Sequence, residues 1–186
     1  MSTSHGFRSR VTFRNDLEKL AFMQAGAARD ARNPYVQRIA VQLVKAFRPD
    51  DWRGMATEIH RYVRDGIRYT HDPDRKELLM SAVDTLRRGA DDCDGKARVA
   101  VALARAAGLE AVVWPKWKGP VLAHVQWGVK WPGSERDPRA QAPAVGLQLP
   151  ARREWIVGEL TIKGAELGDD PSRIPVNPET GKLPLA

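Results

Sequence analysis

The stretch from Ala97 to Ala107 constrains this chain more than any other. Ala97, Val99, Ala100, Val101, Ala102, Leu103, Ala106 and Ala107 leave few polar positions, so a helix here is apolar most of the way round. A helix of that kind is buried centrally, and Gly108 closes it. Beyond Gly108 the apolar period changes from 3.6 to 2. Glu110 to Trp114 reads as one strand, Val121, Ala123, Val125, Trp127, Val129 and Trp131 define one face of a second, and Trp155 to Ile162 makes a third. Helices followed by strands predict an α+β fold in which N-terminal helices and the central helix pack on an antiparallel sheet.

The upstream helices carry their own start signals. Asp16 to Asp30 is Ala-rich; Asn33 caps a second helix with Pro34 at its first position, running to about Phe47. A third begins at Asp50 or Asp51, buries Trp52, Met55, Ile59, Tyr62 and Val63, and ends at Gly66. Ile67 to Thr70 is extended, and Ser81 with Asp84 opens a short helix to about Arg88. The organisation expected is a basic arm over 1–15, one domain over 16–163 with a Pro-rich loop at 132–151, and an extended tail over 164–186. A loop of that length suggests a lid or docking role.

A chain of 186 residues with 42% hydrophobic content suits one core. Its single cysteine excludes an internal disulfide and argues against a cysteine-based zinc site, so neither metal nor cofactor is expected. The net charge of +7 would favour polyanions, but basic and acidic residues are interspersed and no zinc-finger, basic-zipper or RNA-recognition signature occurs. Nucleic acid is therefore not the expected partner. No signal-peptide core and no bilayer-length apolar run is present, which predicts a soluble protein without Sec export.

That one cysteine, Cys93, lies in Gly89-Ala90-Asp91-Asp92-Cys93-Asp94-Gly95, at the head of the apolar helix. A helix start favours a thiolate by about 0.3 to 1 kcal/mol, while three neighbouring aspartates oppose it. Cys93 therefore needs a cationic partner, and His124 follows on a predicted strand. His60 and His71 read as surface or loop residues, and Asp91, Asp92 and Asp94 as caps of the helix.

Arg64-Asp65-Gly66-Ile67-Arg68-Tyr69, the run from Leu86 to Lys96, Ala102 to Leu109 and Ala123-His124-Val125 together resemble the transglutaminase-like superfamily. The resemblance implies a papain-like core with Cys93 as nucleophile and His124 as general base. It further implies Tyr69 as a supplementary oxyanion donor, with Asp92 supporting the turn. The third member departs from the family pattern, which places an Asp in a segment like Trp-x-x-x-Asp-x-Thr. Asp137 has nearly the right spacing, but a hairpin through Pro132-Gly133 pairs His124 with Gln141, which leaves Asp137 four residues, over about 10 Å, out of register. Trp155-Ile156-Val157-Gly158-Glu159-Leu160-Thr161 fits the pattern with Glu in place of Asp. If 132–151 is an insertion, Trp131 opposite Arg152 brings Glu159 opposite His124. Glu159 is preferred, with Asp137 or no acidic third member as alternatives.

The implied activity is acyl transfer on an amide, hydrolysis by a cysteine peptidase or amidase before crosslinking, on a protein or a peptidoglycan peptide. The tail, especially Gly164 to Pro171 and Asn177 to Lys182, is similar to transglutaminase-like proteins of bacteriophage and prophage regions. That implies a bacterial cytoplasmic or virion location, with arm and tail docking on phage structural proteins. The rival is a non-catalytic phage head or tail component that retains the fold.

Overall fold

The computed structural model describes residues 13–72, 78–171 and 185. The arm through residue 12 and the tail segment 172–184, which were expected to dock on partners, lie outside the described residues. Helices α1 (Asp16–Asp30), α2 (Pro34–Val44) and α3 (Trp52–Gly66) come first, then β1 (Arg68–Tyr69), α4 (Ala82–Arg88) and β2 (Ala90–Asp91). The central helix α5 (Cys93–Ala106) precedes β3 (Glu110–Lys118), β4 (Val121–Lys130) and β5 (Ile156–Gly158). This is an α+β architecture, as the change of period requires.

Each α-helix among the described residues begins where a side chain satisfies an early backbone donor. Asn15 accepts from the Glu18 N–H, Asn33 from Tyr35, Asp51 from Gly54, Ser81 from Asp84 and Asp92 from Asp94 and Gly95. Gly66 is the last helical residue of α3, and the chain leaves through extended Ile67, which is buried. Pairing decides that exit, because Arg68 and Tyr69 form a parallel ladder with Ala90 and Asp91.

Residues 94–104 of α5 are all buried, and the helix touches α1, α2, α3, α4, β3 and β4. Its two interior cations are both paired. Arg98 Nε donates to Asp30 Oδ2 at 2.7 Å, and the same oxygen accepts the Ala82 N–H at 2.8 Å. Lys96 Nζ donates to the carbonyls of Arg64 at 3.0 Å and Ile67 at 2.6 Å, tying α5 to the turn that leads into Tyr69. Burial lowers the Lys96 pKa to about 8.

The sheet has the order β3-β4-β5 and is antiparallel throughout. One face, with Ala111, Val113, Val125, Trp127, Val129 and Ile156, joins the main core. The other carries Val112, Trp114, Trp155 and Val157 and is covered by Ala144, Leu147 and Leu149. The long 132–151 segment thus acts as the sheet's second cover, pinned where Trp117 Nε1 donates to the Val145 carbonyl at 2.7 Å. Both outer strands are closed by side chains or loops. Gln24 of α1 accepts the Val113 N–H at 3.1 Å and donates to the Val113 carbonyl at 2.9 Å, while the Gly168 N–H donates to Val157 O at 2.9 Å.

The observed register corrects the expected one. Trp127 pairs with Gly158, Gly128 with Val157 and Val129 with Ile156, so Gln126 rather than His124 falls in line with Glu159. The slip is two residues, which keeps each side chain on its face. Gly158 fixes this choice: a Cβ there would overlap Trp127 Nε1 and lie 2.7 Å from His60 Nδ1. Only glycine fits opposite Trp127 in this packing.

His60, expected at the surface, is fully buried. Residues 164–170 fold back over α3 and cover it. His60 Nε2 donates to Ala165 O at 2.7 Å, Arg64 Nη1 donates to the same carbonyl at 2.5 Å, and Trp127 Nε1 donates to His60 Nδ1 at 3.2 Å. Among the described residues, no helix is long and apolar enough to cross a membrane.

Candidate active site

The site starts with a turn built from carboxylates. The β1–β2 ladder sets Tyr69 beside Asp91, and Asp91 accepts hydrogen bonds from the Thr85 hydroxyl and the Asp92 N–H. Asp92 then caps α5, accepting the N–H of Asp94 at 2.9 Å and of Gly95 at 3.3 Å. Gly95 is required by this packing, because a Cβ would overlap the Asp91 carboxylate. Gly95→Ala is expected to destabilise the fold by about 1 to 3 kcal/mol through overpacking. Urea unfolding checks this, and a loss below about 0.5 kcal/mol, the ordinary surface range, would contradict the close packing.

Cys93 is the first residue of α5. Its thiol donates to Asp94 Oδ1 at 3.5 Å and lies beside the backbone N–H of Val125, the residue after His124. Burial, followed by the charges of Asp94 and Asp92, pushes the thiol well above its ordinary pKa, with the Val125 N–H opposing them. Part of that negative field is balanced from α1, where Lys19 Nζ lies 2.5 Å from Asp94 Oδ2. Burial and the charges of Asp94, Asp72 and Asp91 raise the Asp92 carboxyl above its usual range. The ligand atoms of Asp92, Cys93 and Asp94 lie within 4.8 Å of one another, but the cap and Lys19 already engage both carboxylates.

His124 follows a bulge in β4. Lys116 pairs with His124 and Trp117 with Leu122, leaving Ala123 as the extra residue. Bulges re-aim neighbouring side chains, and this one lies next to the imidazole. His124 Nε2 donates to Glu159 Oε2 at 2.8 Å. The same oxygen accepts Gln126 Nε2 at 3.0 Å, while Oε1 accepts the Thr161 N–H at 2.9 Å and hydroxyl at 2.6 Å. Glu159 is 2% exposed. Burial pushes its pKa upward, but His124 and Thr161 outweigh this and hold it at about 2. With Nε2 turned to a carboxylate, Nδ1 is the ring nitrogen left for proton transfer.

The structure therefore brings Cys93 against the strand of His124, and His124 against Glu159. Asp137 is placed elsewhere: Arg139 holds it through Nε at 2.9 Å and Nη2 at 2.7 Å, depressing its carboxyl to about 2. That guanidinium also donates to Leu167 O, so Asp137 anchors the loop to the returning C-terminal segment. Tyr69 lies within electrostatic reach of the thiol. Burial, then the charges of Cys93, Asp92, Asp94 and Glu159, raise its phenol to about 12, so it stays a donor. Its hydroxyl is 3.4 Å from His71 Nδ1.

Gln126 and Lys19 are not among the residues that the sequence marks for the site, and Thr161 enters there only as the end of a pattern. Thr161 was visible in the Trp-x-x-x-Glu-x-Thr segment, and Gln126 was a polar residue in an otherwise apolar strand. Lys19 had no signal, since only tertiary packing brings α1 to Asp94.

No curated protein matches the chain. A candidate protease from Parabacteroides distasonis is similar in structure, with a TM-score of 0.51, 11% identity, and coverage of 71% of this chain and 30% of that one. A candidate cysteine protease from Cytophaga hutchinsonii gives a TM-score of 0.46, 16% identity, and coverage of 72% and 40%. The chain thus spans less than half the length of either protein. The sequence match is more specific: residues 37–127, from α2 to Trp127 of β4, match the family model of the transglutaminase-like superfamily. That span includes Tyr69, Cys93 and His124, so the segment that carries them is similar to the transglutaminase-like superfamily.

Proposed function

We propose that this chain is a cysteine peptidase or amidase, with Cys93 as nucleophile, His124 as base and Glu159 orienting the imidazole. The observation that carries this reading is the half-buried His124 bonded to a buried Glu159 at 2.8 Å, on the strand whose next residue, Val125, lies beside the Cys93 thiol. The Cys93 proton passes to His124 Nδ1, and the thiolate forms an ion pair with the imidazolium that Glu159 stabilises. The thiolate adds to the amide carbonyl; the Cys93 N–H, with no partner among the described residues, and the Tyr69 hydroxyl are the donors for the oxyanion. His124 then protonates the departing amine, leaving a thioester on Cys93. A water gives its proton to His124, adds to the thioester and releases the acid with the thiol restored.

Hydrolysis is favoured over crosslinking by the candidate-protease name of the similar Parabacteroides distasonis structure. The proposed substrates are peptides, either in protein or in peptidoglycan, and the tail's similarity to phage-encoded relatives supports a virion setting. One observation favours the rival non-catalytic component: the carboxylates around Cys93 oppose its ionisation.

Alkylation by iodoacetamide from pH 4 to 10 separates the two. Rapid reaction at pH 5 to 6 that disappears in His124→Ala is expected of the enzyme. A rate rising only above about pH 8 in both proteins would overturn it.

A further inference from the structure

We infer that Gln126 is a positioning residue that makes a glutamate serviceable as the third member of the site; this rests on the proposed Cys93–His124–Glu159 chemistry. A glutamate has one more rotatable bond than an aspartate, so a buried Glu must be pinned at both oxygens to present one of them at fixed geometry. Thr161 pins Oε1 with its N–H and hydroxyl. Only Gln126 shares Oε2 with His124 among the described residues, at 3.0 Å against 2.8 Å.

The end of β5 explains how Gln126 reaches it. The ladder stops at the Trp127–Gly158 pair, and the chain then turns so that Glu159 Oε2 meets both Gln126 Nε2 and His124 Nε2. The added methylene of Glu gives the carboxylate its reach to both. Gln126 is 6% exposed and cannot swing to solvent without leaving the sheet. With both oxygens pinned, Oε2 accepts only from fixed directions. His124 must then keep its proton on Nε2 and leave Nδ1 open toward the thiol.

The near-isosteric variant Gln126→Met removes the donor and keeps the volume. In the full chain, 15N–1H spectra of the imidazoles, with His124 assigned by His124→Ala, should show neutral His124 as a single Nε2–H tautomer in the wild type. Gln126→Met should show a mixture of tautomers, with amide turnover reduced about tenfold in kcat and little changed in KM. In a Glu159→Gln background the same substitution should cost less than about twofold further, since coupled residues are not additive. Gln126→Asn, with the amide drawn back by one methylene, should lie between the two and serves if Gln126→Met folds poorly.

An unchanged tautomer in Gln126→Met or Gln126→Asn, or effects that multiply in the double variant, would overturn the role. The alkylation profile of the wild type distinguishes this from failure of the enzyme reading. A profile without the acid-side reactivity removes the chemistry itself, whereas its presence with an unmoved tautomer removes only Gln126.

Discussion

Glu159→Gln is expected to lower amide turnover by on the order of 10³- to 10⁴-fold while the protein still folds. The cause is the direction of a proton. Wild-type Glu159 accepts from His124 Nε2 and therefore holds the neutral imidazole with Nδ1 open. A glutamine can turn its amide N–H to Nε2, which favours the opposite tautomer, with Nδ1–H facing a thiol that must give up a proton. Orientation survives and function fails. Glu159→Asp keeps the charge but draws it back by one methylene from His124 Nε2, so a smaller loss of kcat is expected. Turnover of a small amide, with alkylation measured in parallel, checks both variants. A loss below about tenfold in Glu159→Gln would make Glu159 a structural strand residue.

The second large effect concerns stability and acid. Burial is the main reason that the His60 pKa falls from 6.5 to about 4; the Ala165 carbonyl opposes it, Arg64 adds to it, and Glu166 and Glu159 oppose it. Because the folded state binds this proton less readily than the unfolded state, His60's contribution is fully present above pH 6.5. It is lost as pH falls toward 4. The shift corresponds to about 3 kcal/mol. Protonation would place a second N–H against Trp127 Nε1–H, where only an acceptor fits.

Asp91 and Asp92, whose pKa values are raised, move stability in the opposite sense over the same window. The depressed carboxylates Asp65, Asp137, Glu159 and Glu166 contribute stability that is fully present above their ordinary range and is lost only as pH falls through and below it. Comparing wild type with His60→Gln therefore isolates His60. The variant should be less stable at pH 7 but should lack most of the wild-type decline between pH 6.5 and 4.5. Parallel slopes in urea unfolding across that window would refute the assignment.

Much of this molecule could be read from its residues because the decisive signals are local. Asn33-Pro34, Ser81 with Asp84, and the largely apolar run after Cys93 each specify a helix start or a burial state without knowledge of distant partners. The same holds for Cys93 at the head of α5 and for the alternation that carries His124. What escaped was set by packing between elements. The β4–β5 register depends on Gly158 fitting under Trp127 and His60, so pattern matching placed Glu159 near His124 through a pairing two residues out. His60 looked exposed because the segment that buries it comes over 100 residues later. β5 is shorter than its apolar run suggests, since the chain beyond Gly158 turns to place Glu159 and Thr161 rather than continuing the ladder.

Gln24 offers Val113 the same donor and acceptor that a neighbouring strand would offer, on a side chain fixed to a helix. A second copy approaching that flank meets a position already occupied, and Pro115 two residues on has no N–H to give. The sheet is thereby finite by construction. Peptides are excluded from joining it as a further strand at this edge, and crowded copies are denied a template there for end-to-end growth into fibres.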